Sequence, residues 1–164
     1  MSDLKQHLEQ KKLFNVCLVE PEIPNNTGNI GRTCVGMRSS LHLIGKLGFE
    51  INEKRLRRAG LDYWPELNWT QNPCFDEWLA GVPDKKRMFL FTTKAEKSFY
   101  DVAFQPGDYL VFGKETKGLE AKFRESFPEQ CVKLPMPGAV RSFNLANTVA
   151  VALFEAYRQV KSKS

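Results

Sequence analysis

Five short apolar runs, separated by helix-like and loop-like stretches, limit most strongly what this chain can fold into. They are Leu13–Glu20 (LFNVCLVE), Leu41–Gly45 (LHLIG), Arg87–Thr92 (RMFLFT), Asp108–Phe112 (DYLVF) and Cys131–Leu134 (CVKL). Most are apolar on both faces, the pattern of strands buried between two layers rather than strands with one side in water. Between them the spacing predicts helices from Asn25 to about Ser39, over Glu53–Gly60, Phe75–Leu79 and Leu119–Ser126, and from about Ser142 onward. A weaker strand is expected at Glu66–Thr70. Strands alternating with helices point to an α/β fold, a largely parallel sheet flanked by helices. At 164 residues the chain is expected to form a single domain over 1–164, with residues 1–12 as a polar N-terminal arm.

In a parallel sheet all strands end on the same edge, and ligands bind beyond those ends. Four strand-following loops are rich in polar residues, glycine or proline: 20–32, 92–98, 113–118 and 135–142. They are expected to form one composite site. The last feeds a helix whose stripe is Leu145, Val149, Ala152, Leu153 and Ala156. Arg141, Ser142, Asn144 and Asn147 crowd its start, where unpaired N–H groups either face a ligand or take a side-chain cap.

Other chemistries are excluded by what the loops lack. Gly28 and Gly31 do not make a GxGxxG frame, and Gly113–Gly118 reads GKETKG rather than a Walker A loop. Two histidines and four scattered cysteines give neither a hydrolase triad nor a zinc set, so no metal is expected. No stretch reaches the ~18 apolar residues of a membrane span. With no apolar signal core and no paired cysteines, the chain is expected to be cytoplasmic, without a membrane partner. The net charge of +5 and pI near 9.0 permit nucleic-acid binding without requiring it.

The loops resemble, in order and spacing, the three motifs of the SPOUT class of knotted RNA methyltransferases. They are most similar to the YibK/TrmL-type tRNA 2′-O-methyltransferases that act on the wobble nucleotide. The stretches concerned are PEIPNNTGNIGR (Pro21–Arg32), GDYLVFGKETKGL (Gly107–Leu119) and LPMPGAVRSFNLANTVAVALFEAYRQ (Leu134–Gln159), with KRLRRAGLDY (Lys54–Tyr63) and FTTKA (Phe91–Ala95) between them. The resemblance covers roughly residues 14–160. It implies a C-terminal trefoil knot, S-adenosylmethionine as methyl donor, and a homodimer whose active site draws on both subunits. It further implies methylation of a ribose 2′-hydroxyl in the anticodon stem-loop of tRNA, at the wobble cytidine or uridine. The alternatives are another tRNA position, ribosomal RNA, or a non-catalytic RNA-binding module of the same fold.

By position, the resemblance places the cofactor against Phe91, Gly113, Leu134, Met136 and Ser142. It assigns catalysis to Arg32, with Asn26 organising the first loop. Glu115 braces the second loop or accepts a proton through water, and Asn144 contacts substrate or pins the knot. A guanidinium is too weak an acid to serve as a base, so Arg32 is better read as holding a phosphate and stabilising a forming alkoxide. Two departures from the relatives stand out. Gly31 replaces an aliphatic residue before Arg32, expected to loosen that turn by ~0.5–1 kcal/mol, and Phe154 replaces a tyrosine in the last helix. The basic run Lys54–Arg58 is a candidate phosphate-contacting surface, and Tyr63, Trp64 and Trp69 are candidate base-stacking residues.

Overall fold

The computed structural model describes residues 12–52 and 62–163. The basic run Lys54–Arg58 and nearly all of the N-terminal arm lie outside those residues. Six strands form one sheet: β1 (Asn15–Val19), β2 (Ser40–Ile44), β3 (Trp69–Asn72), β4 (Met88–Phe91), β5 (Tyr109–Phe112) and β6 (Cys131–Val132). Their order is β3-β2-β1-β5-β4-β6, and every neighbouring pair runs parallel. The named helices of the described residues are α1 (Pro24–Gly36), α2 (Phe75–Ala80), α3 (Ala121–Ser126) and α4 (Leu145–Ser162).

Alternation along the strands builds two cores. From β1, Val16 and Leu18 face one side, where they join Ile30 and Cys34 of α1 and Val149, Ala152, Leu153 and Ala156 of α4. Cys17 and Val19 face the other, joining Phe75 and Trp78 of α2 and Phe123 of α3. The stripe read from the sequence is therefore the buried face of α4, although its first member, Leu145, is only partly buried. The helix itself starts three residues later than expected, at Leu145, with Asn144 as its cap.

The third strand is displaced from its expected position. Pro65 sits in a short 3-10 turn (Trp64–Glu66), and pairing with β2 begins only at Trp69. At the opposite end of the sheet from the loops, the Asp108 carboxylate is buried and takes two hydrogen bonds from Arg87, at 2.8 and 2.6 Å, tying β4 to β5. No helix among the described residues is long and apolar enough to cross a membrane.

Candidate active site

β5 lies between β1 and β4, so the chain segments leaving β1 and β5 emerge side by side at the carboxyl edge of the sheet. That edge holds a cavity of about 410 Å3, lined by residues from the loops after β4, β5 and β6 and by the first turn of α4. Its volume falls within the ~300–1,000 Å3 usual for small-molecule sites. Phe91, Gly113, Leu134, Met136 and Ser142 all line it, as does Glu115. Asn26, Arg32 and Asn144 do not.

Each lining residue is placed by its strand. Phe91 ends β4 with its ring buried and stacked on Phe112 at 4.7 Å, so its backbone rather than its ring is what a ligand can reach. Gly113 directly follows β5. A Cβ there would lie 2.0 Å from the carbonyl carbon of Gly118 and 2.2 Å from the nitrogen of Leu119, because the loop folds back on itself. Gly118 closes that fold at φ +66° and donates its N–H to the Lys114 carbonyl at 2.9 Å. Leu134 is buried and Met136 half-buried on the far wall.

The loop after β1 does not line the cavity but holds the loop that does. Both oxygens of the Glu115 carboxylate accept hydrogen bonds: from the backbone N–H of Glu22 (2.9 Å), the N–H of Ile23 (2.5 Å) and the side-chain amide of Asn26 (3.4 Å). α1 has no side-chain cap of its own at Ile23, and it starts with Pro24. Glu115 is thus a cap delivered from another loop, its negative charge at the positive end of the helix. Asn26 carries the connection onward, since its carbonyl oxygen accepts from Asn144 Nδ2 at 3.1 Å. The carbonyl oxygen of Asn144 in turn accepts from the N–H groups of Ala146 and Asn147 and caps α4. Three of the four residues that the resemblance assigns to catalysis or its support therefore form one chain, Glu115–Asn26–Asn144, joining the loops after β5, β1 and β6. The start of α4 spends these N–H groups on its own cap rather than on a ligand.

Further contacts reinforce this interlock, and sequence reasoning did not find them. The Glu22 carboxylate accepts from the N–H and the hydroxyl of Thr116, at 3.1 and 2.7 Å, and those bonds hold its pKa below the ordinary carboxylate value. Lys114 donates to Glu20 at 3.1 Å, which raises the lysine pKa. Glu20 adopts a left-handed conformation (φ 51°) at the end of β1. These partners stand some 94 residues apart in the chain, so nothing in local sequence pairs them.

Arg32 is exposed on α1, away from the cavity of its own chain. Its guanidinium lies 5.8 Å from the centre of the Tyr63 ring. The Tyr63 hydroxyl donates to the Gly28 carbonyl at 2.6 Å; burial raises its pKa, and the charge of Arg32 opposes the rise. Gly31 is buried, and a Cβ there would come within 3.1 Å of both Leu67 and Trp64. Trp64 and Leu67 thus occupy the space that an aliphatic side chain at this position would need. Among the described residues no group of three or more histidines, cysteines, aspartates or glutamates could hold a metal ion.

The volume and lining of the pocket suit S-adenosylmethionine. It offers apolar walls at Leu134 and Met136, backbone at Phe91, and at Gly113 a close-packed turn that excludes any side chain.

Comparisons with known proteins agree with this architecture. The model of the SpoU rRNA Methylase family matches residues 13–154. A protein of Burkholderia pseudomallei (strain 1106a) named tRNA (cytidine(34)-2'-O)-methyltransferase is 51% identical over 149 residues, covering 90% of this chain and 96% of that protein. The Escherichia coli (strain K12) protein of the same name is 44% identical over 149 residues, covering 90% and 94%. A solved structure described as giving insights into the 2-OH methylation of C/U34 on tRNA superposes with a TM-score of 0.86 at 42% identity, covering 92% of this chain and 98% of that one. The SpoU methyltransferase AviRb from Streptomyces viridochromogenes, solved in complex with the cofactor AdoMet, superposes with a TM-score of 0.77 at 25% identity, covering 92% and 58%.

Proposed function

Since this chain belongs to the SpoU rRNA Methylase family, we propose that it methylates the ribose 2′-hydroxyl of the wobble cytidine or uridine in the anticodon loop of tRNA, with S-adenosylmethionine as donor. The observation that carries the reading is the cavity itself: the residues expected to hold the cofactor, drawn from three separate loops, all line it. Relatives at 44–51% identity carry the corresponding name.

Bound in this cavity, S-adenosylmethionine supplies an electrophilic methyl group on a sulfonium. The chain's own part is positioning, which can lower a barrier by as much as ~7–11 kcal/mol. The backbone of Phe91, Leu134 and Met136 would hold its adenosine moiety, Gly113 would let the loop close against it, and Ser142 would supply a polar contact. Arg32 binds a phosphate of the tRNA and stabilises charge developing on the ribose oxygen as its proton leaves to water. Glu115, engaged by three donors of its own chain, braces the site rather than serving as base, and Asn26 and Asn144 extend that brace.

The enzyme acts as a homodimer in the cytoplasm. Two features support the dimer. Val151 and Phe154, on one face of α4, are 46% and 59% exposed. Arg32 also lies outside its own chain's cavity, so a partner's cavity is where it would act. A C-terminal trefoil knot is supported by the path of the chain. β6 lies outside β4, yet the segment after it returns to set Asn144 against Asn26 and α4 against α1.

Transfer of labelled methyl from S-adenosylmethionine to unmodified bulk tRNA, followed by nucleoside analysis, tests the reading. A 2′-O-methylated cytidine or uridine in the anticodon loop is expected; label in a base, or in ribosomal RNA alone, would contradict it. Arg32→Ala is expected to abolish transfer and leave cofactor affinity nearly intact. Ser142→Ala should weaken cofactor binding instead.

A further inference from the structure

Tyr63, which follows the basic stretch Lys54–Arg58 in the sequence, has its hydroxyl and one face of its ring engaged within the chain. Tyr63 donates its O–H to the carbonyl of Gly28 at 2.6 Å. In α-helical geometry that carbonyl also faces the N–H of the residue four positions on, which is Arg32. The phenol is therefore fastened to the turn that carries the arginine. From that anchor its ring lies 5.8 Å from the guanidinium carbon, within reach of a cation–π contact. No ion pair holds Arg32 among the described residues, and its side chain is exposed.

The same segment touches α1 twice more. Trp64 and Leu67 close on Gly31, where a Cβ would come within 3.1 Å of each. The absence of a side chain at Gly31 lets the 63–67 segment lie directly against the helix, immediately beside Arg32. Trp64 also packs on Trp69 at the start of β3, with ring centres 5.4 Å apart. The segment is thus held by contacts that do not depend on Tyr63.

We propose that Tyr63 is a positioning residue for methyl transfer: its ring restricts the exposed Arg32 guanidinium to the orientation that meets the tRNA backbone. This rests on the functional reading of Arg32 given above. An exposed arginine loses many rotamers on binding, and a ring that already restrains it lowers that loss. The role is distinct from stacking on a substrate base, because it uses the ring face that the arginine already approaches.

Two replacements separate positioning from structural support. Tyr63→Phe removes the hydroxyl and keeps the ring; Tyr63→Leu removes both. Both lose the bond to Gly28, so both are expected to lower Tm, Tyr63→Leu by somewhat more because it also loses the ring. The single-turnover transfer rate should instead follow the ring, falling about twofold in Tyr63→Phe and about tenfold in Tyr63→Leu. The affinity for S-adenosylmethionine, measured by calorimetry on the same proteins, should stay constant. A wild-type rate in Tyr63→Leu, or an equal loss in both variants, would overturn the proposal. An active Arg32→Ala would overturn the reading beneath it, and that variant is measured alongside so that the two failures are told apart.

Discussion

At Gly113 the missing side chain is a condition for the loop to exist. A methyl group there would overlap backbone at Gly118 and Leu119, and backbone cannot swing aside as a flexible side chain can. Gly113→Ala is therefore expected to destabilise the protein by about 3 kcal/mol or more, at or above the upper end of what overpacking usually costs. It should also remove detectable S-adenosylmethionine binding; a variant that binds the cofactor normally in calorimetry would show that the loop has another closed form. Gly31 poses the opposite case. The expected loosening is offset by Trp64 and Leu67, which fill the space beside it. That the five residues expected at the cofactor would line one cavity was legible from the motifs, because each belongs to a strand end or to the loop that follows it. Tyr63 was not: its hydroxyl bond to Gly28 spans 35 residues, and from sequence alone its ring was as ready to meet a base as an arginine.

Among the elements, α1 depends on a cap it does not encode. Glu115→Ala should leave the N–H groups of Glu22 and Ile23 without their partner, costing ~1–3 kcal/mol of stability. Cofactor affinity should fall with it, as the loop loses its anchor. Were Glu115 a general base as well, the transfer rate at saturating S-adenosylmethionine would fall by orders of magnitude more than the losses of stability and affinity account for, so single-turnover kinetics beside denaturation and calorimetry decide the point. β2 carries a second dependence. His42 donates from Nε2 to Asn15 at 3.1 Å, while its Nδ1 accepts from the indole N–H of Trp78 at 3.4 Å. Burial, with the charge of Lys12 adding to it, lowers the His42 pKa from 6.5 to about 4. A proton on Nδ1 would oppose the Trp78 N–H, and the unfolded chain takes that proton first. Stability from this group is complete above pH 6.5 and is lost as pH falls towards 4, by about 3 kcal/mol in total. Urea denaturation at intervals from pH 7.5 to 4.5 should show the decline, and His42→Gln should flatten it. The strands buried on both faces were legible because apolar residues occupy consecutive as well as alternate positions in their runs. β3 was misplaced because it is an edge strand with no fully buried residue, so its pairing is set by β2 and the turn at Pro65 rather than by its own pattern.

For the molecule as a whole, the sheet order brings the four loops together, and no local pattern announces it. β5 enters between β1 and β4 only once the chain has already laid down both neighbours. The interlock of Glu115, Asn26 and Asn144 then joins three loops across the carboxyl edge, with the cavity beside it. The proposed function takes that cavity as one half of an active site, with the exposed Arg32, restrained by Tyr63, as the half that would act at a partner's cavity and on tRNA. Its central claim is that the methyl group goes to a single ribose oxygen. The most direct test uses two full-length tRNAs that differ in one atom: one has the ordinary ribose at the wobble nucleotide, the other a 2′-deoxyribose there. With labelled S-adenosylmethionine, the first should accept one methyl group per molecule and the second none. Equal incorporation into both would place the methyl group elsewhere and contradict the account.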